Sequence, residues 1–393
     1  MSLSGPSPRA LGLAGALSLA VAMGIGRFSF TPMLPLMAQD GLIDLAGGGW
    51  VAAANYAGYL AGALSAPRLK QPPARLALLA LLLTALLTAA MAWSAPLWLW
   101  SLLRFVAGAA SAWAFVSTSV WCLGALGRHP PSAWSSAMYA GVGCGIALAG
   151  LYCLAGATVG ASSAGLWLQL GLLAALLALP VVAVLRRLDG ALAAPPAQRK
   201  AGREAPPRGT AGLVACYGLF GFGYILPATF LPAMARELVA DPRLFGLAWP
   251  VFGLMAAAST LMAGWWLRRA SRLRVWAVSH ALMGLGVLLP SLWLAGWTLA
   301  LSALLVGGTF MVATLAGVQE IRARASGGDA IALVARMTTA FAIGQIAGPI
   351  ASTLLLSLPG LGGRGLALAL QLGAAGLIGS AVWLWRHRAQ APN

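Results

Sequence analysis

Long apolar segments separated by short polar turns run along the whole chain. Segments of about 20 apolar residues are long enough to cross the hydrocarbon layer of a bilayer as α-helices. A spanning segment must be a helix or part of a closed barrel, because lipid satisfies no backbone hydrogen bond. The apolar runs are unbroken, which excludes the alternating pattern of barrel strands. Twelve helical spans are predicted, at residues 10–37, 47–66, 74–94, 97–125, 133–157, 163–186, 210–235, 244–267, 274–293, 297–320, 330–357 and 365–386.

A polar segment divides the twelve predicted spans into two sets of six. Residues 188–209 are rich in proline, alanine and charged side chains. We interpret this segment as a cytoplasmic linker between an N-terminal six-helix bundle, residues 1–187, and a C-terminal one, residues 210–393. The predicted fold class is therefore an all-α membrane protein with two six-helix bundles.

Short matches indicate that the two halves are related by duplication. The motif Gly-x-Gly at residues 24–26 recurs at residues 221–223, an offset of 197 (221 − 24). Leu-Gln-Leu-Gly at residues 168–171 recurs at residues 370–373, an offset of 202 (371 − 169). Each match alone is weak in so biased a composition. Two matches at similar offsets predict pseudo-symmetric halves, as in transporters built from parallel repeats.

Composition and charge agree with a membrane protein rather than a nucleic-acid-binding one. The chain has 393 residues, of which 60% are hydrophobic and 8% charged, with a net charge of +17. Nineteen of its 25 Lys and Arg residues fall in cytoplasmic segments if the N-terminus is inside. Basic residues near span ends set membrane orientation. Both termini are therefore predicted to be cytoplasmic. The excess of basic residues is explained by membrane orientation and does not indicate a nucleic-acid partner.

Two arginines lie within predicted spans, where an ionisable group usually marks function. Arg27 is roughly 24 Å along the first span. Arg104 lies on the fourth span, which runs in the opposite direction, and is predicted at a similar depth. A guanidinium can bind carboxylate or phosphate through two hydrogen bonds, so the pair could form a cationic substrate site. Alternatively, each arginine caps backbone carbonyls at a kink, because Pro32 and Pro35 leave carbonyls without amide donors.

Other polar residues could line the same site or control access to it. The substrate-binding candidates are Asn55 and Tyr59 on the second span, Tyr224 at the repeat position equivalent to Arg27, and Gln345. Packing between helices is the better explanation for each tyrosine, whereas Gln345 is a better candidate because a buried amide needs hydrogen-bonding partners. Glu320 and Arg336 fall near cytoplasmic ends of adjacent spans, where a pair could latch a gate. Snorkelling to the interface is the alternative for both.

Residues for metal binding or catalysis are not clustered in the sequence. The four cysteines form no Cys-x-x-Cys motif, and the three histidines are scattered. Gly-x-x-x-x-Gly-Lys-Ser/Thr, the ATP-binding loop, is absent from the sequence. The eight acidic residues lie mostly in loops. We therefore expect no metal, no cofactor and no enzymatic activity.

Three runs resemble the YbfB/YjiJ-type branch of the major facilitator superfamily. They are GRFSFTPMLPLM at 26–37, NYAGYLAGAL at 55–64 and RMTTAFAIGQIAGP at 336–349. The resemblance implies a twelve-helix transporter. LLRFVAGAA at 102–110 is similar to the superfamily's fourth-helix motif, which would link Arg104 to proton coupling. However, the first helix has no membrane-embedded carboxylate, and the loop SAPRLKQ at 65–71 has no acid. Proton coupling therefore stays open.

These observations predict a secondary active transporter that moves a small organic solute across the bacterial inner membrane by alternating access. The intramembrane arginines make an anionic solute the first hypothesis. Two alternatives are an exporter of neutral or cationic amphipathic compounds and a non-transporting membrane sensor of the same fold.

Overall fold

The computed structural model describes residues 6–130, 133–188, 210–238, 246–324, 327–361 and 364–387, and this part of the chain is helical throughout. The linker predicted at 188–209 lies almost wholly outside the described residues. The α-helices are α1 (Pro8–Leu19), α2 (Phe30–Gln39), α3 (Leu45–Ser65), α4 (Pro73–Ala90), α5 (Leu97–Leu126), α6 (Trp134–Thr158), α7 (Ser163–Arg186), α8 (Thr210–Leu238), α9 (Ala248–Arg269), α10 (Arg272–Leu292), α11 (Gly296–Arg324), α12 (Gly327–Ser357) and α13 (Arg364–His387).

These helices confirm the twelve predicted spans. The first span comprises α1, a π-helical segment (Ala20–Arg27) and α2, and each later helix is one span. Within the described residues, eleven spans are long and apolar enough to cross a membrane, judged by length and composition. The twelfth, α3, has the required length but also carries Asn55 and several glycines and tyrosines. Its polar residues lie between helices, so α3 remains compatible with a span.

The two bundles consist of α1–α7 and α8–α13, and several helix pairs join them. The joining pairs include α2 with α8, α3 with both α8 and α12, and α6 with α9. Because the number of spans is even, the start of α1 and the end of α13 lie at the same face, called here the terminal face. Glycine permits the close approach of α6 and α9: a methyl group at Gly143 of α6 would overlap the backbone of Gly253 and Ala257 of α9.

Candidate functional site

The first span, Pro8–Gln39, is interrupted near its own middle. The π-helical segment ends at Arg27, where the Phe28 amide donates to the Met23 carbonyl, five residues back. The Thr31 amide then bonds to the Phe28 carbonyl, only three residues back. Pro32 has no amide hydrogen with which to continue the α-helical ladder. This irregular stretch leaves the carbonyls of Gly26 and Arg27 facing a neighbouring helix rather than an amide of the next turn.

Arg104 of α5 supplies the missing donors. Its Nη1 donates to the Gly26 carbonyl at 2.8 Å, and its Nη2 donates to the Arg27 carbonyl at 2.6 Å. The side chain is 1% exposed. Asn55 of α3 holds α5 in turn, because its Nδ2 donates to the Arg104 carbonyl at 2.8 Å. These contacts match the capping interpretation of Arg104, with both terminal nitrogens on backbone oxygens.

Arg27 points instead into the interface between the bundles. It is 4% exposed, and its Nη2 donates to Gln345 Oε1 of α12 at 2.8 Å. Its guanidinium carbon lies 3.8 Å from the ring centroid of Tyr59 and 5.4 Å from that of Tyr56. Its Nε has no hydrogen-bond partner. Among the described residues no carboxylate forms an ion pair with Arg27, so the groups given around its charge, the Gln345 amide and aromatic side chains that include Tyr59, are uncharged.

Gln345 connects Arg27 to the equivalent position of the second bundle. The Gln345 side chain is fully buried, and its Nε2 donates to the Tyr224 hydroxyl. The Tyr224 ring stacks on Phe310 and Phe341, with centroids 5.6 and 5.5 Å apart. One amide therefore contacts Arg27 through its oxygen and Tyr224 through its nitrogen. The sequence predicted that Arg27 and Tyr224 are repeat equivalents, and the structure shows them sharing this partner.

Two further hydrogen bonds cross between the bundles beside this cluster. Thr31 Oγ1 donates to the Ala228 carbonyl at 2.6 Å. The Tyr56 hydroxyl and Thr229 Oγ1 lie 3.0 Å apart. Sequence reasoning assigned no role to either threonine, because a lone threonine in a span usually bonds its own helix. The repeat offset was the available signal, since Ala228 stands where Thr31 stands in the first half.

Glu320 pairs with Arg272 and Arg324 in this conformation, and not with Arg336. Glu320, buried at the end of α11, accepts from Arg272 Nε at 3.1 Å and from Arg324 Nε at 2.7 Å. Arg336 is exposed on α12 and lines a groove with Thr210 and other residues. Helix α11 packs more extensively along α10 than along α12, and Glu320 contacts Arg272 at the start of α10. A gating role for Glu320 and Arg336 as a pair has no contact to support it in this conformation.

The bundles are also joined toward the face opposite the termini. Arg236 Nη1 donates to the Pro35 carbonyl, and Thr353 Oγ1 donates to the Ala46 carbonyl at 3.2 Å. Cys153 lines a small space between the bundles beside the Arg236 contact. These two hydrogen bonds lie at the face opposite the termini, whereas those of Arg27, Thr31 and Tyr56 lie at mid-span. No group of three or more potential metal ligands occurs in the described part of the chain.

The sequence family described as "Uncharacterised MFS-type transporter YbfB" matches residues 19–384, nearly the whole chain. The protein belongs to this family of the major facilitator superfamily. It is thus a multi-pass membrane transporter, which confirms the resemblance stated from the sequence runs. A comparison with curated proteins finds no significant match.

Solved structures show that the YbfB-type chain has the fold of known transporters. A mutant of the nucleoside transporter NupG has a TM-score of 0.72 at 14% identity, over 96% of this chain and 100% of that one. NupG itself has a TM-score of 0.67 at 13% identity, over 95% and 98%. A bacterial homologue of the human lysosomal transporter Spinster, described as inward-facing and unoccupied, has a TM-score of 0.65 at 16% identity, over 98% and 96%. At these identities the likeness concerns the fold alone.

Proposed function

We propose that this protein is a secondary active transporter of a small organic anion and that Arg27 is the anion-binding group. The observation that carries the proposal is the position of Arg27: buried between the bundles, bonded to a neutral amide and without a carboxylate partner. A buried charge is costly unless it is compensated. A substrate anion would supply the compensation that the described residues do not.

The geometry of Arg27 also suits a carboxylate or phosphate. A guanidinium binds such groups best when two of its nitrogens donate side by side. Nε has no partner, and Nη2 is held by Gln345, which an anion could displace or share. Tyr59 and Tyr56 cover the guanidinium and would contact the organic part of the solute. We therefore expect a solute with one anionic group and an apolar or aromatic body.

Alternating access follows from how the bundles meet. The contacts of Arg236 with Pro35 and of Thr353 with Ala46 hold the bundles together at the face opposite the termini. The excess of basic residues in terminal-face segments supports cytoplasmic termini and a bacterial inner-membrane location. With that orientation, this conformation is closed toward the outside. Transport would require these contacts to separate while the bundles close around Arg27 from the cytoplasmic side.

A neutral aromatic solute such as a nucleoside is the second candidate. Tyr224, Phe310 and Phe341 form a stack of nearly parallel rings next to Gln345. Aromatic rings and an amide could recognise a planar base without any use of the Arg27 charge. The structural neighbour NupG is described as a nucleoside transporter. The charge of the ligand separates this candidate from the first.

The test is thermal unfolding of the purified protein with matched panels of organic anions, cations and neutral solutes, nucleosides included. A ligand that binds only the folded state at 100 times its Kd adds about 2.7 kcal/mol of stability. We expect selective stabilisation by anions, with the response lost in Arg27→Gln. Arg364→Gln removes one exposed arginine from the start of α13 and serves as the matched control.

Two results would contradict the anion proposal. One is stabilisation by neutral or cationic solutes only. The other is an anion response that Arg27→Gln leaves unchanged. Compounds that stabilise the protein would then enter flux assays in proteoliposomes. Binding without flux would favour the sensor over the transporter.

A further inference from the structure

A groove on the membrane-facing side of the second bundle shares no lining residue with the cluster around Arg27. It has a volume of about 400 Å³ and is formed by α9, α10 and α11. Its walls include Val278, Leu282 and Leu304, whose side chains are 43%, 40% and 38% exposed. Because all three helices are membrane spans, these exposed apolar side chains face the lipid. The groove is therefore accessible from the bilayer along its length.

Basic and aromatic side chains close the groove at the terminal face. Arg269 and Arg274 both line it there, together with Trp266. The Arg269 guanidinium carbon lies 4.1 Å from the ring centroid of Trp265, and that of Arg274 lies 5.8 Å from the ring centroid of Trp385. Both arginines are exposed, and neither forms an ion pair with a carboxylate among the described residues.

The two ends of the groove differ sharply in chemistry. Arg274 and Leu282 are eight residues apart on α10, which corresponds to about 12 Å along the membrane normal. A ligand that fills the groove must therefore carry a negative charge at one end and at least 12 Å of hydrocarbon, about ten methylene groups, behind it. The bilayer itself contains such molecules. A water-soluble anion would use the arginines and leave the apolar walls uncovered.

We propose that this groove is a binding site for an anionic phospholipid of the leaflet at the terminal face. The phosphate lies between Arg269 and Arg274, and one acyl chain occupies the groove between α10 and α11. Basic pockets between membrane helices bind anionic headgroups in this way. Tryptophan side chains are enriched at the membrane–water interface, where such headgroups lie.

The opposite side of α10 offers a place for the second acyl chain. A second groove of about 310 Å³ lies between α10 and α13 and includes Val278, Ile378 and Arg386. Val278 lines both grooves, so its side chain forms the ridge between them. The second groove also ends at an arginine. Two chains of one lipid would straddle α10, with the headgroup over Arg274.

The test compares phosphatidylglycerol with phosphatidylcholine of identical acyl chains, by native mass spectrometry and by thermal unfolding in mixed micelles. We expect tighter binding and a higher Tm with phosphatidylglycerol. The variant Arg269→Gln/Arg274→Gln should bind it about 25-fold more weakly, since each basic side chain near an anionic surface contributes roughly a fivefold gain. Arg68→Gln/Arg75→Gln removes two exposed arginines from the other bundle and should change binding little.

A second variant tests the acyl chain independently of charge. A Cβ at Gly308, which lines the groove, would meet only Met255 Cε, at 3.4 Å, an ordinary contact. Gly308→Leu should therefore fill the groove without disturbing the backbone and should also weaken phosphatidylglycerol binding. Glycerol 3-phosphate, a headgroup without acyl chains, should not stabilise the protein.

Several outcomes would overturn the proposal. They are equal binding of the two lipids, unchanged phosphatidylglycerol binding in either groove variant, an equal loss in the Arg68→Gln/Arg75→Gln control, and full stabilisation by glycerol 3-phosphate. None of these outcomes depends on which solute the central site binds, so the two proposals can fail separately.

Discussion

Thr31 and Ala228 occupy equivalent positions of the two repeats and are hydrogen bonded to each other. Thr31 Oγ1 donates to the Ala228 carbonyl at 2.6 Å, and the two residues are 197 positions apart, the offset that aligns Gly24 with Gly221. Equivalent positions of two repeats can touch only near the pseudo-symmetry axis. The first spans of the two bundles therefore cross at this point, beside Arg27 and Tyr224.

Removal of the Thr31 hydroxyl should loosen the contact between the bundles. Thr31→Val keeps the shape of the side chain and leaves the Ala228 carbonyl without its donor. We expect a loss of about 1 kcal/mol in the stability of this conformation. The buried Cys153, in the space between the bundles, should then be alkylated faster.

Thr84→Val is the matched control for that experiment. Thr84 is also fully buried, but its Oγ1 donates to the Ala80 carbonyl of its own helix. Equal alkylation of Cys153 in both variants would show that the Thr31 bond does not hold the bundles together.

Arg104 should contribute to stability rather than to ligand selectivity. Arg104→Leu leaves the carbonyls of Gly26 and Arg27 without donors inside the membrane. Each unsatisfied buried group costs about 1–3 kcal/mol, so we expect a loss of about 2–6 kcal/mol in the free energy of unfolding. Thermal unfolding without ligand measures it. Arg27→Gln should lose much less stability, and a reversed order of the two would contradict the capping role.

An acidic residue at position 345 should compete with the substrate anion. Gln345→Glu places a carboxylate where Gln345 Oε1 now accepts from Arg27 Nη2. We expect ligand-free stability to rise by about 1 kcal/mol, because a charged acceptor strengthens the hydrogen bond. Stabilisation by anions should disappear in the same variant.

Tyr224→Phe controls for the loss of the other Gln345 contact. It removes the hydroxyl that accepts from Gln345 Nε2 but leaves the Arg27 bond in place. We expect the anion response to survive in this variant. If it disappears as completely as in Gln345→Glu, the Arg27 charge is not what binds the anion.

A single added methyl group should disrupt the close contact between α6 and α9. Gly143→Ala would overlap the backbone of Gly253 and Ala257 in the other bundle. The bundles must then separate at this point, which should raise the alkylation rate of Cys153 several-fold. Gly264→Ala is the control, since a Cβ there meets only the Arg268 side chain at 3.6 Å. Equal rates in both variants would exclude this contact as a determinant of closure.

Substitution of Glu320 tests whether its ion pairs stabilise the fold or control a gate. Glu320→Gln weakens contacts with Arg272 and Arg324, and the Arg272 side chain is 35% exposed. With that exposure discounted, we expect a loss of about 1–3 kcal/mol in unfolding free energy. Arg336→Gln should leave stability unchanged. If the two substitutions instead gave equal transport defects at unchanged stability, a latch formed in another conformation would be the better explanation.

The sequence by itself determined the number, length and order of the spans. Hydrophobic length is a local property, and lipid forces such segments into helices, so predicted spans such as 97–125 and 163–186 match Leu97–Leu126 and Ser163–Arg186 closely. The sequence also placed Arg27 and Arg104 at one depth and paired Tyr224 with Arg27 through the repeat offset.

Only the tertiary structure decided what each polar group does. Both arginines are buried on similar apolar helices, yet one caps Gly26 and Arg27 and the other faces Gln345. That choice depends on which way each helix is rotated and which neighbour it packs against, and no local pattern encodes either. The same reason separated Glu320 from Arg336, because the packing of α11 along α10 brought Arg272 closer. The depth of a polar residue in the membrane follows from its position along its own helix. Its hydrogen-bonding partners depend on packing between helices that are distant in sequence.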